Sequence, residues 1–319
     1  MSLKDQASDN LTRFLLSRKY ELFGSFLRRR QPLDENDLIC ETRRIADFLR
    51  SKKSNLSVVS GAGSILGLIS SSSSPWDSRV LGWHTARINH FLSSPRLAEG
   101  RAESLLQDSL DVLKSGGHKL VIARVPLIGR EAVRALCLKG ALTDILLTFR
   151  TELNKAKHRR SPVSNLRIGF ASEADKVDLR KTSLSAFREG HFHSDPRIKK
   201  ASADLVYGEI VSEQMQSKKW DVARAQVGGQ FAGLITFTTT EFGRRLKYGQ
   251  ISLLAVAPEY RRTGVARALV QFAGGCLKEK GVNEVHVSTQ ASNFAAIALY
   301  ESEGFVNVNS WCTFHIWLD

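Results

Sequence analysis

The chain's strongest constraint lies in residues 251–280, where an apolar run, a proline and a basic glycine-containing turn precede a helical pattern. The run Ile251–Val256 reads as a strand, and Pro258 stops it because proline has no N–H to give a sheet ladder. The turn Arg261-Arg262-Thr263-Gly264-Val265-Ala266 then opens a helix that continues to about Lys280. A helix start exposes backbone N–H groups and partial positive charge, so it attracts anions. Small residues at Gly264 and Ala266 let a phosphate approach the backbone, and Arg261 and Arg262 add full charges. The local chemistry is that of a pyrophosphate site. It is neither a Walker loop, since no Gly-Lys-Ser/Thr follows, nor a Gly-x-Gly-x-x-Gly turn.

Downstream, Glu284–Gln290 alternates as a strand does, and Asn293 stands in cap position for a helix over 294–303. Tyr300 and Gly304-Phe305 close that stretch. Arg261, Gly264 and Ala266 fill the pattern Arg/Gln-x-x-Gly-x-Gly/Ala, and Asn293, Tyr300 and Gly304-Phe305 follow in order. On these residues the C-terminal half resembles the GNAT superfamily of acetyl-CoA-dependent N-acetyltransferases. The resemblance implies a primary amine attacking the thioester of acetyl-CoA. Backbone groups around Leu254 and Val256 would hold the pantetheine arm and present an N–H to the oxyanion. The residues Arg261, Arg262, Thr263, Gly264, Val265 and Ala266 would hold the pyrophosphate. Asn293 would bond the pantetheine or cap its helix, and Tyr300 would protonate the departing thiolate.

The 319 residues suffice for two domains, and the 42% hydrophobic and 24% charged content is that of an ordinary globular protein. The segment 154–165, basic and proline-containing, reads as a linker between an N-terminal domain over 1–153 and the GNAT domain over 166–319. In the first half, helices are expected at about 11–30, 35–53, 99–114 and 129–138. Strands are expected there at about 57–60, 79–91, 118–125 and 142–150. Ser70–Ser74 reads as a loop and Gly61-Ala62-Gly63 as a turn. This half is a smaller α/β domain without a catalytic motif. In the second half the order of strands and helices is that of a GNAT domain, so the expected fold class is α/β (α+β). Its sheet is mixed and mostly antiparallel, with flanking helices.

The net charge of +14 is uneven. Residues 1–160 carry 27 Lys+Arg against 16 Asp+Glu, and residues 161–319 carry 19 against 16. Such asymmetry accompanies nucleic-acid binding, but no zinc finger or aromatic RNA-binding motif goes with it, and no nucleic-acid partner is expected. The cysteines Cys40, Cys137, Cys276 and Cys312 lie far apart, as reduced thiols of a cytoplasmic protein do. No secretory signal is visible, and no apolar run is long enough to span a bilayer. The first helix, ending in Arg28-Arg29-Arg30, reads as a packed surface helix rather than a membrane anchor.

For the acceptor, three stretches count: Trp76–Ile88, the polar loop Phe187–Arg197, and Val287–Asn293. Together they resemble two-domain dTDP-fucosamine (dTDP-4-amino-4,6-dideoxyhexose) acetyltransferases. That resemblance implies a small, nucleotide-linked amine as substrate and a place in polysaccharide synthesis. His191, His193, Asp195, Arg197 and Gln290 would face such a substrate, with a histidine available to take the ammonium proton. The spacing of His191 and His193 also suits a metal, but no third ligand presents itself and no metal is expected. Alternatives are a protein or peptide N-acetyltransferase, a non-catalytic CoA-binding module, and an antibiotic-modifying enzyme, whose polycationic substrates favour acidic sites. A homodimer is an option the sequence leaves open.

Overall fold

The computed structural model describes residues 3–27, 33–51, 53–98, 100–153 and 163–319. Arg28-Arg29-Arg30 and most of the expected linker, residues 154–162, lie outside them. In chain order come α1 (Leu3–Ser17), α2 (Lys19–Leu27), α3 (Glu35–Arg50), β1 (Asn55–Gly61), β2 (Ser64–Ser73), α4 (Pro75–Leu81) and β3 (Thr85–Ser93). There follow α5 (Arg101–Ser115), β4 (Leu120–Pro126), α6 (Arg130–Lys139), β5 (Ala141–Glu152), β6 (Leu166–Phe170), α7 (Lys176–Ala186) and α8 (Lys200–Gln216). The chain closes with β7 (Asp221–Val227), β8 (Gln230–Phe242), β9 (Leu246–Val256), α9 (Val265–Glu279), β10 (Glu284–Gln290), α10 (Phe294–Ser302) and β11 (Val306–Trp317).

Two compact units result, one of Met1–Leu146 with Val308–Asp319, the other of Leu147–Asn307. The chain therefore changes unit inside β5 and returns inside β11. The final strand groups with the first unit, whereas sequence reading assigned everything after residue 166 to the second domain.

Unit 1 has the strand order β1-β2-β3-β4-β11-β5. β3 and β4 run parallel, and β1–β2, β2–β3 and β4–β11 run antiparallel. Its main core joins Ile69, Ile88, Phe91 and Val121 to Leu105, Leu106 and Leu110 of α5 and to Phe314 of β11. On the other face, Leu11, Phe14 and Leu15 of α1 pack with Leu49, Leu68 and Leu92. Two expectations fail here. Ser70–Ser73 is strand, because Ser70 Oγ bonds His90 Nδ1 at 2.8 Å and Ser73 Oγ bonds His118 Nε2 at 2.8 Å, which supplies hydroxyls with partners inside a sheet. The expected strand at 79–91 begins as helix. Pro75 at the first turn starts α4, Gly82 at φ +75° ends it, and the strand starts only at Thr85. The turn at Ala62-Gly63 (φ +48° and +72°) is as read.

His90 gives unit 1 a pH dependence. Burial pushes its pKa down to about 4 from 6.5. The unfolded chain thus takes up this proton before the folded one does. The contribution of neutral His90 is complete above about pH 6.5 and is lost as pH falls toward 4. It amounts to on the order of 3 kcal/mol. The thermal midpoint is expected to drop between pH 7 and pH 5, and to drop less in His90→Gln; equal slopes for the two proteins would refute the assignment.

Unit 2 orders its strands as β6-β7-β8-β9-β10, with the latter half of β5 beside β10. β6 to β9 are antiparallel and β9–β10 is parallel, the mixed, mostly antiparallel sheet expected from sequence. Its core joins Ala232, Ile235, Phe237 and Ile251 of the sheet to Val265, Leu269 and Leu277 of α9 and to Tyr300 and Phe305 at the end of α10.

The half that reads as an accessory α/β domain repeats the architecture of the other. In each, a register shift puts one extra residue in the central strand: Asn89 between Ile88 and His90, and Ser252 between Ile251 and Leu253. In each, parallel pairing ends one residue before that bulge, at Ile88–Ala123 and at Ile251–Val287.

Candidate functional site

Past Ile251 and Val287, β9 continues to Val256 and β10 to Gln290 without pairing to each other. β9 keeps its ladder to β8 through Leu254–Ile235 and Val256–Gly233, so its remaining N–H and C=O groups face the gap. The bulge is pinned from below. Leu253 N donates to Thr236 Oγ1 at 3.0 Å, and Gln214 Nε2 of α8 donates to Ser252 Oγ at 3.0 Å. Sequence reading missed Gln214 and Ser252, since a bulge leaves no periodic signal. Leu254 and Val256 are half-buried against the unit 2 core.

The expected phosphate turn leads from this gap. Pro258–Tyr260 forms a 3-10 turn, Arg262 takes φ +62°, and Gly264 at φ +107° precedes Val265, the first residue of α9. Thr263 Oγ1 donates to Tyr260 O at 2.6 Å, and fully buried Val265 anchors the helix start in the core. Among the described residues, the backbone N–H groups of Arg262, Thr263, Gly264, Val265 and Ala266 have no acceptor, while Ala268 N begins the helical ladder on Gly264 O at 3.1 Å. Those free donors beside two exposed arginines suit an anion. Arg261 bends back, its Nε 3.3 Å from Val256 O, so it braces the strand end as well as charging the turn.

Tyr300 sits in the same core, 4% exposed, with its ring 6.0 Å from Phe149 and 5.6 Å from Phe305. Burial pushes its phenol pKa well above the ordinary value, so it carries its proton at any physiological pH. Among the described residues its hydroxyl has no hydrogen-bond partner. The helix end explains the spacing of Tyr300, Gly304 and Phe305. Gly304 takes φ +83°, Phe305 N donates to Tyr300 O at 2.9 Å, and Gly304 N donates to Glu301 O at 3.0 Å. This is a Schellman stop, whose apolar contact between the flanking residues is the Tyr300–Phe305 ring pair. Asn293 is a helix cap, its Oδ1 accepting from Ala296 N at 3.1 Å while its own N–H donates to Gln290 O at 3.0 Å.

The loop between α7 and α8 spends much of its polarity on itself. His193 Nε2 bonds Asp204 Oδ1 at 2.8 Å, and Lys200 bonds the other oxygen. Burial alone would raise the Asp204 carboxyl, but these two donors hold it below the usual range. Buried Asp195 accepts from Arg197 N at 2.9 Å. His191 is buried with its ring 3.8 Å from Phe192, and Arg197 is exposed. The loop reaches the start of α10, where Ser292 Oγ lies 3.4 Å from Glu189 Oε2. Gln290, half-buried at the end of β10, is two residues from that contact. Among the described residues no three His, Cys, Asp or Glu side chains are placed to hold a metal.

The Trp76–Ile88 stretch lies in unit 1, where buried Asp77 accepts from Arg87 Nε at 2.5 Å, from Arg87 Nη2 at 2.7 Å and from Ser74 Oγ at 2.6 Å. These bonds clamp α4 to β3. Unit 1 also repeats the turn after its splayed strand, with Leu97 N on Ser94 O at 2.9 Å as Tyr260 N is on Ala257 O at 2.9 Å, and with Gly100 at φ +78° before α5. There, Arg101 N is taken by Ala98 O, and fully buried Phe91 stands where unit 2 has half-exposed Leu254.

Among the described residues no helix is long and apolar enough to cross a membrane. Residues 185–305 match the family described as Acetyltransferase (GNAT) family. Human N-alpha-acetyltransferase 30 is 35% identical over 82 residues, which are 26% of this chain and 23% of that protein. The [Ribosomal protein bS18]-alanine N-acetyltransferase of Escherichia coli K12 is 48% identical over 52 residues, 16% of this chain and 35% of that one. The chain thus spans about a quarter to a third of these curated relatives. A tandem GNAT protein from the clavulanic acid biosynthesis pathway superposes with a TM-score of 0.56 at 14% identity, covering 98% of this chain and 97% of that one. A GCN5-related N-acetyltransferase from Sphaerobacter thermophilus gives 0.62 at 15% identity, covering 87% and 85%. The splayed strands, the donor-rich turn and the family match agree: residues 185–305 are similar to the acetyltransferase (GNAT) family, and the chain has a GNAT fold.

Proposed function

We propose that the protein transfers the acetyl group of acetyl-CoA to a primary amine, in unit 2 and by direct attack. The observation that carries this is the convergence of three features in one unit: the gap between β9 and β10, the unfilled N–H donors of Arg262–Ala266, and the buried, proton-bearing Tyr300. The turn residues bind the pyrophosphate. The β9 backbone between Leu254 and Val256 aligns the pantetheine and offers an N–H to the carbonyl oxygen as it gains charge. The amine forms the C–N bond, the C–S bond breaks, and Tyr300 gives its proton to the sulfur. The surplus ammonium proton leaves to solvent or to the loop.

The acceptor is proposed as an anionic amine, specifically a nucleotide-linked amino-deoxy sugar, with the enzyme in the cytoplasm. Support comes from exposed Arg188, Arg197 and Lys199, which outnumber the one exposed carboxylate, Glu189, in the loop that reaches the start of α10. A protein α-amine is the second reading, favoured by the names of the two curated relatives above. Acetyl-CoA with dTDP- and UDP-linked amino sugars, peptides with free α-amines and polyamines, following thiol release, separates the two. Turnover of the nucleotide sugars is expected; turnover of peptides alone would establish the second reading. CoA binding with no turnover of any amine would leave a binding module.

A further inference from the structure

α9 begins at the phosphate turn and α10 ends just beyond Tyr300, so the two helices carry the two halves of the proposed site. One side-chain cluster joins them. Arg267 Nε donates to Glu303 Oε1 at 2.8 Å, Gln271 Nε2 donates to Glu303 Oε2 at 2.8 Å, and Arg267 Nη2 lies 3.4 Å from Ser302 Oγ. Glu303 is 3% exposed and both its oxygens are engaged.

Each charge stands on the wrong end of its own helix. Arg267 is in the first turn of α9, where the dipole favours anions, and no acidic residue shares that turn. Glu303 caps the end of α10, where the dipole favours cations. Neither residue suits its helix alone, and a buried carboxylate without a cation is strongly unfavourable. Local rules broken in pairs mark sites where position matters more than helix stability. The spacings point the same way: Arg267 is three residues after Gly264, and Glu303 is three after Tyr300. Glu303 N also donates to Tyr300 O at 3.1 Å.

We propose that Glu303, held by Arg267 and Gln271, is a positioning residue. It fixes the Tyr300 hydroxyl against the phosphate turn, so that the acid meets the sulfur of a cofactor bound by its pyrophosphate. This rests on the acetyltransferase reading above.

The test is a double-mutant cycle on the full chain, with kcat for the best amine and CoA affinity by calorimetry as separate readouts. Glu303→Gln is expected to lower kcat about tenfold in the native background but less than about twofold in Tyr300→Phe, because the lost alignment acts through the tyrosine. Glu303→Gln is also expected to weaken CoA binding about fivefold, since the turn loses its brace. Arg267→Lys, which keeps the charge, should restore part of what Arg267→Ala loses. Equal kcat losses in both backgrounds, or unchanged kcat and CoA affinity at a temperature where the variant is folded, would overturn the proposal in favour of a purely structural ion pair. If Tyr300→Phe leaves kcat unchanged, or no amine turns over, the general-acid or transferase reading fails instead. CoA affinity then decides for or against the clamp.

Discussion

Tyr300→Phe is expected to lower kcat by about 10²- to 10⁴-fold while leaving CoA affinity within about twofold. The substitution keeps the ring between Phe149 and Phe305 and breaks no hydrogen bond, so packing changes little. Only the transferable proton is lost. The raised phenol pKa makes Tyr300 a weak acid in isolation, but the leaving thiolate forms in the same dry surroundings and is made more basic by the same desolvation. The sign for pH dependence follows: the acid form persists throughout the working range, so the kcat profile should show no loss of activity toward alkaline pH from this group. Unchanged kcat in the variant would remove the general-acid role.

Gly264→Val is expected to weaken acetyl-CoA binding by about 10²-fold, measured as the dissociation constant. Two causes add. A β-branched residue at φ +107° is a genuine conformational outlier, and its side chain would stand where phosphate oxygens approach the backbone. Hydrogen bonds to a charged group contribute about 1.5–3 kcal/mol each, and misplacing one or two accounts for the loss. Gly281→Ala is the control, because Gly281, at φ +75°, ends the same helix away from the turn. It should lower the thermal midpoint with CoA binding intact. Equal weakening by both variants would mean that helix strain, not anion contact, governs affinity.

What could be read from sequence was local. A proline stop, a glycine with positive φ, an Asn cap and a Tyr-to-Gly-Phe helix end each act within a few residues. The glycine turn, α9 and α10 therefore stand where their spacing put them. β2 was missed because its serines look like a loop until His90 and His118 arrive from distant segments to bond them. Nothing in the local sequence announces that His193 is held by Asp204, or Asp195 by the backbone of Arg197. The repeat within unit 1 escaped notice because its turn carries none of the paired arginines. The braces Gln214–Ser252 and Arg267–Glu303 are contacts across 38 and 36 residues that no periodicity encodes.

The passage of the chain from one unit to the other inside β5, and back inside β11, bears on biosynthesis. Unit 1 starts before unit 2 in the chain, yet β4 is hydrogen-bonded along Trp311–Trp317, which follow all of unit 2. Until those emerge from the ribosome, β4 presents an open edge of apolar strand, the kind of surface that invites mispairing. Unit 2, by contrast, is one continuous stretch, Leu147–Asn307. The half synthesised first is thus the half completed last. Synthesis that stops short of residue 311 would deprive unit 1 of its closing strand while the segment bearing Gly264 and Tyr300 had already been made.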